Sequence, residues 1–219
     1  MDKYEAMLNL LTEAIQAGKA NSPRTEETSC TNEIPVGVSN RHLHLSQPDL
    51  DNLFGNGYQL TKMKDLSQPG QYACKETVTI CGPKGALEKI RILGPVRHKT
   101  QVEIMTGDCF KLGVESQPRL SGDLQGTQGI AIIGPKGSIQ TKEGLIVAQR
   151  HIHMTPEDAN RLGVYDGQSV SIKFNGIRGG LYSNIAIRAN DASKLECHID
   201  VEEANAMNIN SLSKVTIVK

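Results

Sequence analysis

The chain is dominated by short stretches in which hydrophobic and polar residues alternate, separated by glycine-containing turns. Residues 77–80 and 89–92 alternate strictly, and a period of two is typical of β-strands with one buried face. The pattern predicts strands at residues 34–44, 76–81, 87–93, 100–105, 129–133, 145–153, 169–174, 185–188 and 214–218. Short helices are predicted at residues 49–54, 156–162 and 201–207. Many short strands with few helices favour a mainly β fold, barrel or sandwich, over a doubly wound sheet.

The N-terminal part has a different pattern. Hydrophobic residues recur at helical spacing within residues 3–17, which predicts an amphipathic helix over residues 1–18. Residues 19–32 are small and polar, and they predict a flexible linker. A short amphipathic helix on such a tether is either a docking peptide or a helix packed on its own domain. The pattern alone leaves both alternatives open.

Internal repeats organise the rest of the chain. Residues 40–46, Asn-Arg-His-Leu-His-Leu-Ser, match residues 149–155, Gln-Arg-His-Ile-His-Met-Thr. A third echo aligns residues 198–209 on residues 153–164 without gaps. Each copy leads from a strand with histidine into a helix-capping residue, namely Ser46, Thr155 or Asp200. The chain therefore uses one strand–histidine–cap–helix unit at least three times, and two related modules are expected.

The repeated histidines predict a metal site. Residues i and i+2 of a strand point to the same face, ~6–7 Å apart, so His42 and His44 project together, as do His151 and His153. With His198, these are five of the six histidines of the chain. Neutral imidazole is a good zinc ligand, and three protein ligands with an open position are typical of a catalytic zinc site. Imidazole and carboxylate ligands would also accept cobalt or nickel.

Two further residues are candidates between the repeats. Glu103 is a carboxylate on a strand that is otherwise fit for burial, and it is either a ligand or a solvent-facing side chain. Arg97 follows the Gly94-Pro95 turn. Its guanidinium could hold phosphate with two parallel hydrogen bonds, although most arginines are ordinary surface residues. Pattern alone does not choose between these alternatives.

Composition narrows the function classes. Lys+Arg and Asp+Glu both total 24, so the chain lacks the basic excess of a nucleic-acid binder. Neither a membrane span nor a secretory segment is expected. The five cysteines form an odd set without a CxxC pair, which favours free thiols in the cytoplasm over a disulfide framework.

At this point the residues resemble a known family. From about residue 34 to the C-terminus the chain is similar to the phosphate propanoyltransferase family of bacterial microcompartments, the PduL-type phosphotransacylases. The similarity rests on four segments: residues 38–44, residues 93–97 with 100–103, residues 149–154 and residues 197–199. The resemblance implies transfer of an acyl group between coenzyme A and inorganic phosphate, with acyl-CoA and phosphate as partners. It also implies that the N-terminal helix is an encapsulation peptide that binds microcompartment shell or core proteins.

The resemblance also implies a fold and a site. It implies two small related β-barrel domains with short helical caps, residues 33–41 plus 149–219 forming one and residues 42–148 the other. Two zinc ions are expected at the boundary between the barrels. Carried over to this chain, the implied roles are zinc binding by His42, His44 and Glu103 and by His151, His153 and His198, phosphate binding by Arg97, and coenzyme A contacts at Ser39, Asn40 and Lys89.

Two other functions stay open at the level of sequence. A zinc-dependent thioester hydrolase would release free acid without phosphate, and a structural zinc protein of a microcompartment would have closed four-ligand sites. The sequence pattern does not identify the acyl group or the pathway of the compartment. It also leaves the oligomeric state open, including a homo-oligomer.

Overall fold

The computed structural model describes residues 32–218, which form two β-sheets and four short helices. The predicted N-terminal helix and most of its linker lie outside the described residues. One sheet is a closed barrel with strand order β1-β14-β11-β13-β12-β15. Its strands are β1 (Glu33–Ser39), β11 (His151–Met154), β12 (Ser169–Phe174), β13 (Gly180–Ala189), β14 (Glu196–Asp200) and β15 (Lys214–Val218).

The second sheet has nine strands and curls into a half-barrel. Eight strands follow the order β7-β10-β6-β2-β5-β4-β8-β9, and β3 pairs with β4. The strands are β2 (His42–His44), β3 (Lys62–Asp65), β4 (Tyr72–Gly82), β5 (Gly85–Gly94), β6 (Gln101–Ile104), β7 (Pro118–Arg119), β8 (Ala131–Ile133), β9 (Ser138–Gln140) and β10 (Leu145–Ala148).

Each sheet has its own hydrophobic core, built mainly from Val, Ile and Leu. Phe174 and Ile34 are among the fully buried residues of the barrel, and Leu43 and Ile80 are among those of the half-barrel. The prediction of a mainly β fold with short helices is therefore confirmed. The division of the chain into two domains, residues 33–41 plus 149–219 and residues 42–148, stays a prediction.

The chain passes between the two sheets at two short crossovers within the described residues. Strand β1 pairs in the barrel, and after Asn40 and Arg41 the chain enters the half-barrel as β2. The return is made through Gln149 and Arg150, between β10 in the half-barrel and β11 in the barrel. The single strands expected at residues 34–44 and 145–153 are therefore wrong, because each is two strands that pair in different sheets.

Four strands each lead directly into a short helix, and three of these strand–helix pairs are the copies of the repeated unit found in the sequence. They are α1 (Gln47–Phe54), α2 (Thr106–Leu112), α3 (Pro156–Leu162) and α4 (Val201–Met207). The side chains of Ser46, Thr155 and Asp200 cap α1, α3 and α4 by accepting a hydrogen bond from the third helical residue. Helix α2 was not expected, and with β6 it makes a fourth copy of the unit.

A buried carboxylate outside the candidate site stabilises the half-barrel. Glu76 is only 8% exposed, and its Oε1 accepts hydrogen bonds from Tyr58 Oη and from the Thr61 backbone N–H, each at 3.0 Å. Burial acts to raise the pKa of Glu76, but hydrogen bonds from Thr61 and Tyr58 outweigh burial and lower it below its usual value. The ionised form therefore stabilises the folded state.

We expect Glu76→Gln to lower the free energy of unfolding at neutral pH by about 1–3 kcal/mol, since charged hydrogen bonds are lost. Because the folded-state pKa is depressed, this contribution is present above the unfolded pKa of about 4.3 and is lost as the pH falls through the folded-state pKa. Urea unfolding of both proteins at neutral and acidic pH measures it. The exposed Glu88→Gln serves as control. A deficit that stays constant down to acidic pH would contradict this account of Glu76.

Candidate active site

Two clusters of metal-ligand type lie in the described residues. One contains His42, His44 and Glu103, and the other contains His151, His153 and His198. Within each cluster the ligand-type atoms all lie within 4.8 Å of one another. The structure therefore brings together, in the expected two sets, all six residues that the sequence analysis singled out as ligands.

Strand register explains why the clusters form. Strands β2 and β6 are antiparallel and place His42 opposite Glu103, and β11 and β14 place His151 opposite His198 in the same way. Four of the six residues also share the same separation along the sequence from the helix that follows them. His44, Glu103, His153 and His198 each lie two residues before the N-cap of the following helix. Glu103 is thus the counterpart of His198, with a carboxylate in place of the imidazole.

The first histidine of each motif is oriented by the crossover that precedes it. His42 Nδ1 lies 2.7 Å from the carbonyl oxygen of Asn40, and His151 Nδ1 lies 2.8 Å from that of Gln149. Because a carbonyl only accepts, Nδ1 carries the proton and donates it in both cases. When the ring is neutral, that tautomer leaves Nε2 with a free lone pair for a metal ion.

The first cluster contains a buried ion pair. Glu103 Oε2 lies 3.4 Å from His42 Nε2, and both side chains are about nine-tenths buried. Burial acts to lower the pKa of His42, but the carboxylate of Glu103 outweighs it and raises this pKa above its usual value. Burial acts to raise the pKa of Glu103, yet His42 holds it well below its usual range. Burial, followed by the charge of Arg97, lowers the pKa of His44 to about 3.

The second cluster contains two imidazoles that stay neutral, those of His151 and His153. Burial, followed by the charge of His198, lowers the pKa of His151 to about 4. Burial, followed by His151, lowers the pKa of His153 to about 3. Neutral histidines with free lone pairs are the form that binds a metal ion.

The donor set fits a metal ion at both clusters. His151 Nε2 and His153 Nε2 lie 3.0 Å apart. Because His151 carries its proton on Nδ1, its Nε2 can only accept a hydrogen bond or bind a metal ion. His153 Nδ1 is buried and has no hydrogen-bond partner among the described residues. Leaving a buried polar atom unpaired destabilises the fold, so such an atom at a ligand cluster is consistent with a role in binding an ion. Imidazole nitrogens with one carboxylate are ligands that zinc accepts.

A cavity of about 500 Å³ is lined by both clusters. A volume in this range is typical of small-molecule sites. Ser39, Asn40 and Arg97, which the sequence analysis proposed for coenzyme A and phosphate, also line it. Lys89 does not: it is exposed in a bulged part of β5 with φ 57°. The lining position on that strand is taken instead by Arg91, which β2–β5 pairing places opposite His42.

The cavity is cationic although the chain as a whole is neutral. Six basic residues line it, against the acids Glu103 and Asp200: Arg41, Lys64, Arg91, Arg97, Arg150 and Arg188. Some of these charges are compensated, as Arg41 is by Asp108 at 2.8 Å. Arg97 and Arg188 have no carboxylate at ion-pair distance among the described residues. A cavity with surplus positive charge attracts anionic ligands.

Arg97 is held in place by residues that the sequence pattern did not single out. Its Nη1 donates to Ser121 Oγ at 3.0 Å, and Gln101 Nε2 donates to the same oxygen at 2.8 Å. Gln101 is 1% exposed and also donates to Glu103 Oε1 at 2.5 Å. Gln101 therefore links the first cluster to the arginine. A buried glutamine two residues before a candidate ligand was the available signal.

Comparison with known proteins decides the family. The family model of phosphate propanoyltransferase matches residues 35–210. The chain belongs to the phosphate propanoyltransferase family. A phosphate propanoyltransferase of Rhodobacter capsulatus is 54% identical over 186 residues, 85% of this chain and 86% of that one. One of Thermotoga maritima is 54% identical over 187 residues, 85% and 89% of the two chains. One of Priestia megaterium is 49% identical over 202 residues, 92% and 90% of the two chains.

Membership of the phosphate propanoyltransferase family makes this protein a transferase enzyme. The expectation from the resemblance, that the chain is an enzyme that transfers a group, is confirmed. Among the described residues, no helix is long and apolar enough to cross a membrane.

Proposed function

We propose that this protein interconverts a short-chain acyl-CoA plus inorganic phosphate with acyl phosphate plus coenzyme A at a two-zinc site. One observation carries the proposal: the two ligand clusters line the same cationic cavity as the guanidinium of Arg97, which has no carboxylate at ion-pair distance among the described residues. Both substrates are anions, since phosphate is charged and coenzyme A carries several phosphate groups. A cavity of that charge, with metal ligands on its wall, suits acyl transfer to phosphate.

The two clusters would each hold one zinc ion. His42, His44 and Glu103 would bind the first, and His151, His153 and His198 would bind the second. Zinc bound there would supply Lewis-acid stabilisation of the negative charge that develops on the thioester during acyl transfer. The chain's own contribution is to orient the first histidine of each cluster, because Nδ1 of His42 and Nδ1 of His151 donate to the carbonyl groups of Asn40 and Gln149.

Arg97 would bind the phosphate. A guanidinium can donate two parallel hydrogen bonds to a phosphate group, and this geometry orients as well as attracts it. Ser121 fixes one edge of Arg97 through Nη1, which leaves the other donors for a ligand. Arg188 adds a second uncompensated charge to the same cavity. Ser39 and Asn40, which also line it, are proposed coenzyme A contacts, whereas the exposed position of Lys89 argues against a role for that residue.

The reaction needs no covalent intermediate on the enzyme. A phosphate oxygen forms the new bond to the thioester carbon, the carbon–sulfur bond breaks, and coenzyme A leaves as its thiolate. No described cysteine lines the cavity, and burial raises the pKa of the Cys74 thiol to about 11 and that of Cys197 to about 12. Thiols in that state are poor nucleophiles. Direct transfer predicts sequential kinetics.

The location inside a bacterial microcompartment and binding of shell or core proteins through residues 1–18 are proposed on the resemblance alone. Deleting residues 1–18 is therefore expected to leave the chemistry of the cavity unchanged.

The proposed function is tested by following free thiol from acetyl-CoA and propionyl-CoA with and without phosphate. We expect thiol release that depends on phosphate, yields acyl phosphate in equal amount, and is lost with a chelator and restored by zinc. Release of free acid without phosphate would support a zinc-dependent hydrolase instead. No release at all from folded, zinc-loaded protein would point to a structural zinc protein.

A further inference from the structure

Glu196 lies beside the second cluster and has no part in the ligand sets. It begins β14, two residues before His198, so both side chains project from the same face of the strand. His198 Nε2 lies 2.6 Å from Glu196 Oε2. The pair is largely buried, with side-chain exposures of 23% for His198 and 13% for Glu196. A carboxylate accepts, so the imidazole donates its Nε2 proton.

The same carboxylate is held from the opposite sheet. Ser67 Oγ donates to Glu196 Oε2 through a short hydrogen bond, and Ser67 lies in the loop between β3 and β4 of the half-barrel. The neighbouring Gln68 is 5% exposed and pairs with the backbone of Lys194, donating to its carbonyl at 3.0 Å and accepting from its N–H at 3.2 Å. The loop is therefore fastened to the start of β14, and it also lines the cavity.

Close packing against β1 leaves the pair little freedom. A Cβ placed on Gly37 would lie 2.7 Å from His198 Cδ2 and 2.9 Å from Glu196 Cδ. Such distances are shorter than a side chain tolerates, so glycine at this position lets the imidazole and the carboxylate rest against the backbone. The pair is thus confined between β1 on one side and Ser67 on the other.

We propose that Glu196 is a positioning residue for His198: its carboxylate accepts a hydrogen bond from Nε2–H, leaves Nδ1 as the nitrogen that binds metal, and ties that ligand to the Ser67–Gln68 loop. The inference rests on the proposed function, in which the cluster of three histidines binds zinc. A carboxylate on the far nitrogen of a ligating histidine fixes the tautomer and the ring orientation and makes the ring a stronger ligand. Glu196 therefore acts on the metal site without touching the metal.

Zinc affinity separates this role from a purely structural one. The full chain is titrated with zinc in competition with a chromophoric chelator, as wild type, Glu196→Gln and Glu157→Gln. Glu157 is an exposed acid on α3 and provides the same change of charge as a matched control. We expect two equivalents in the wild type. In Glu196→Gln one of the two is weakened by ~10–100-fold and the other is unchanged, whereas Glu157→Gln behaves as the wild type.

The tautomer is read directly from ¹⁵N-labelled histidine in the zinc-loaded wild type. Long-range proton–nitrogen spectra are expected to show the His198 proton on Nε2 and zinc on Nδ1. Zinc on Nε2 would overturn the proposal, and this measurement stands even if Glu196→Gln fails to fold. The proposal for Glu196 would also be overturned if the wild type binds two zinc ions and Glu196→Gln binds both with equal affinity. That result would leave the proposed function intact. No zinc at the cluster of three histidines would instead remove the proposed function.

Discussion

Glu103→Gln should reduce kcat/KM for acyl transfer by about 10²-fold and lower the bound zinc from two equivalents to one. The change keeps the size of the side chain but removes the only anionic ligand of the first cluster and its ion pair with His42. Loss of a Lewis acid is worth several kcal/mol in the transition state, and about 3 kcal/mol corresponds to about 10²-fold in rate. Steady-state kinetics and metal analysis on the same preparation measure both effects.

Two controls accompany this variant. Glu115→Gln changes an exposed carboxylate in the segment between α2 and β7 and is expected to keep full activity and both zinc ions. Unfolding curves of the variant and the wild type are compared, and similar stability is expected because Gln101 retains an oxygen acceptor at position 103. A Glu103→Gln protein that keeps two tightly bound zinc ions and full activity would remove Glu103 from the ligand set.

Arg97→Ala is expected to lower kcat/KM for phosphate by about 10²–10³-fold, the loss typical of removing one donor that stabilises transition-state charge. The KM for acyl-CoA should change little, because the guanidinium is proposed to bind only the second substrate. Arg97→Lys restores charge but not the two parallel hydrogen bonds, so it should recover only part of the loss. Initial-rate kinetics with each substrate varied in turn give the two constants separately.

Arg178→Ala, at an exposed turn between β12 and β13, is the matched control and should behave as the wild type. Equal losses for phosphate and for acyl-CoA in Arg97→Ala would contradict a phosphate-specific role. That result would instead indicate a general electrostatic effect of the cavity on both anions.

The sequence could predict much of this site because its ligands lie on a repeated local unit. The cap residues and the following helices α3 and α4 were predicted at their observed bounds, since proline, capping side chains and acidic residues mark a helix start locally. Helix α2 was missed because its N-cap is Met105, which gives no side-chain cap, and its exposed Phe110 obscures the hydrophobic spacing.

Non-local features were out of reach. The hydrophobic pattern of residues 34–44 does not mark the point at which β1 leaves the barrel, because each strand still alternates as it enters the other sheet. Only the resemblance implied a boundary after residue 41. The sequence pattern aligns His198 with His153, and both residues do lie two positions before a helix N-cap. Strand register, however, pairs His198 with His151. In the other cluster the residue equivalent to His198 is Glu103, which pairs with His42. Arg91 and Ser121 enter the cavity through strand pairing and loop packing, which no local pattern records.

The two crossovers are short links, residues 40–41 and 149–150, that tie each ligand cluster to both sheets. Each link ends one residue before the first histidine of a cluster. The backbone that carries His42 is therefore continuous with the barrel, and the backbone that carries His151 is continuous with the half-barrel, so that each cluster is anchored in both sheets.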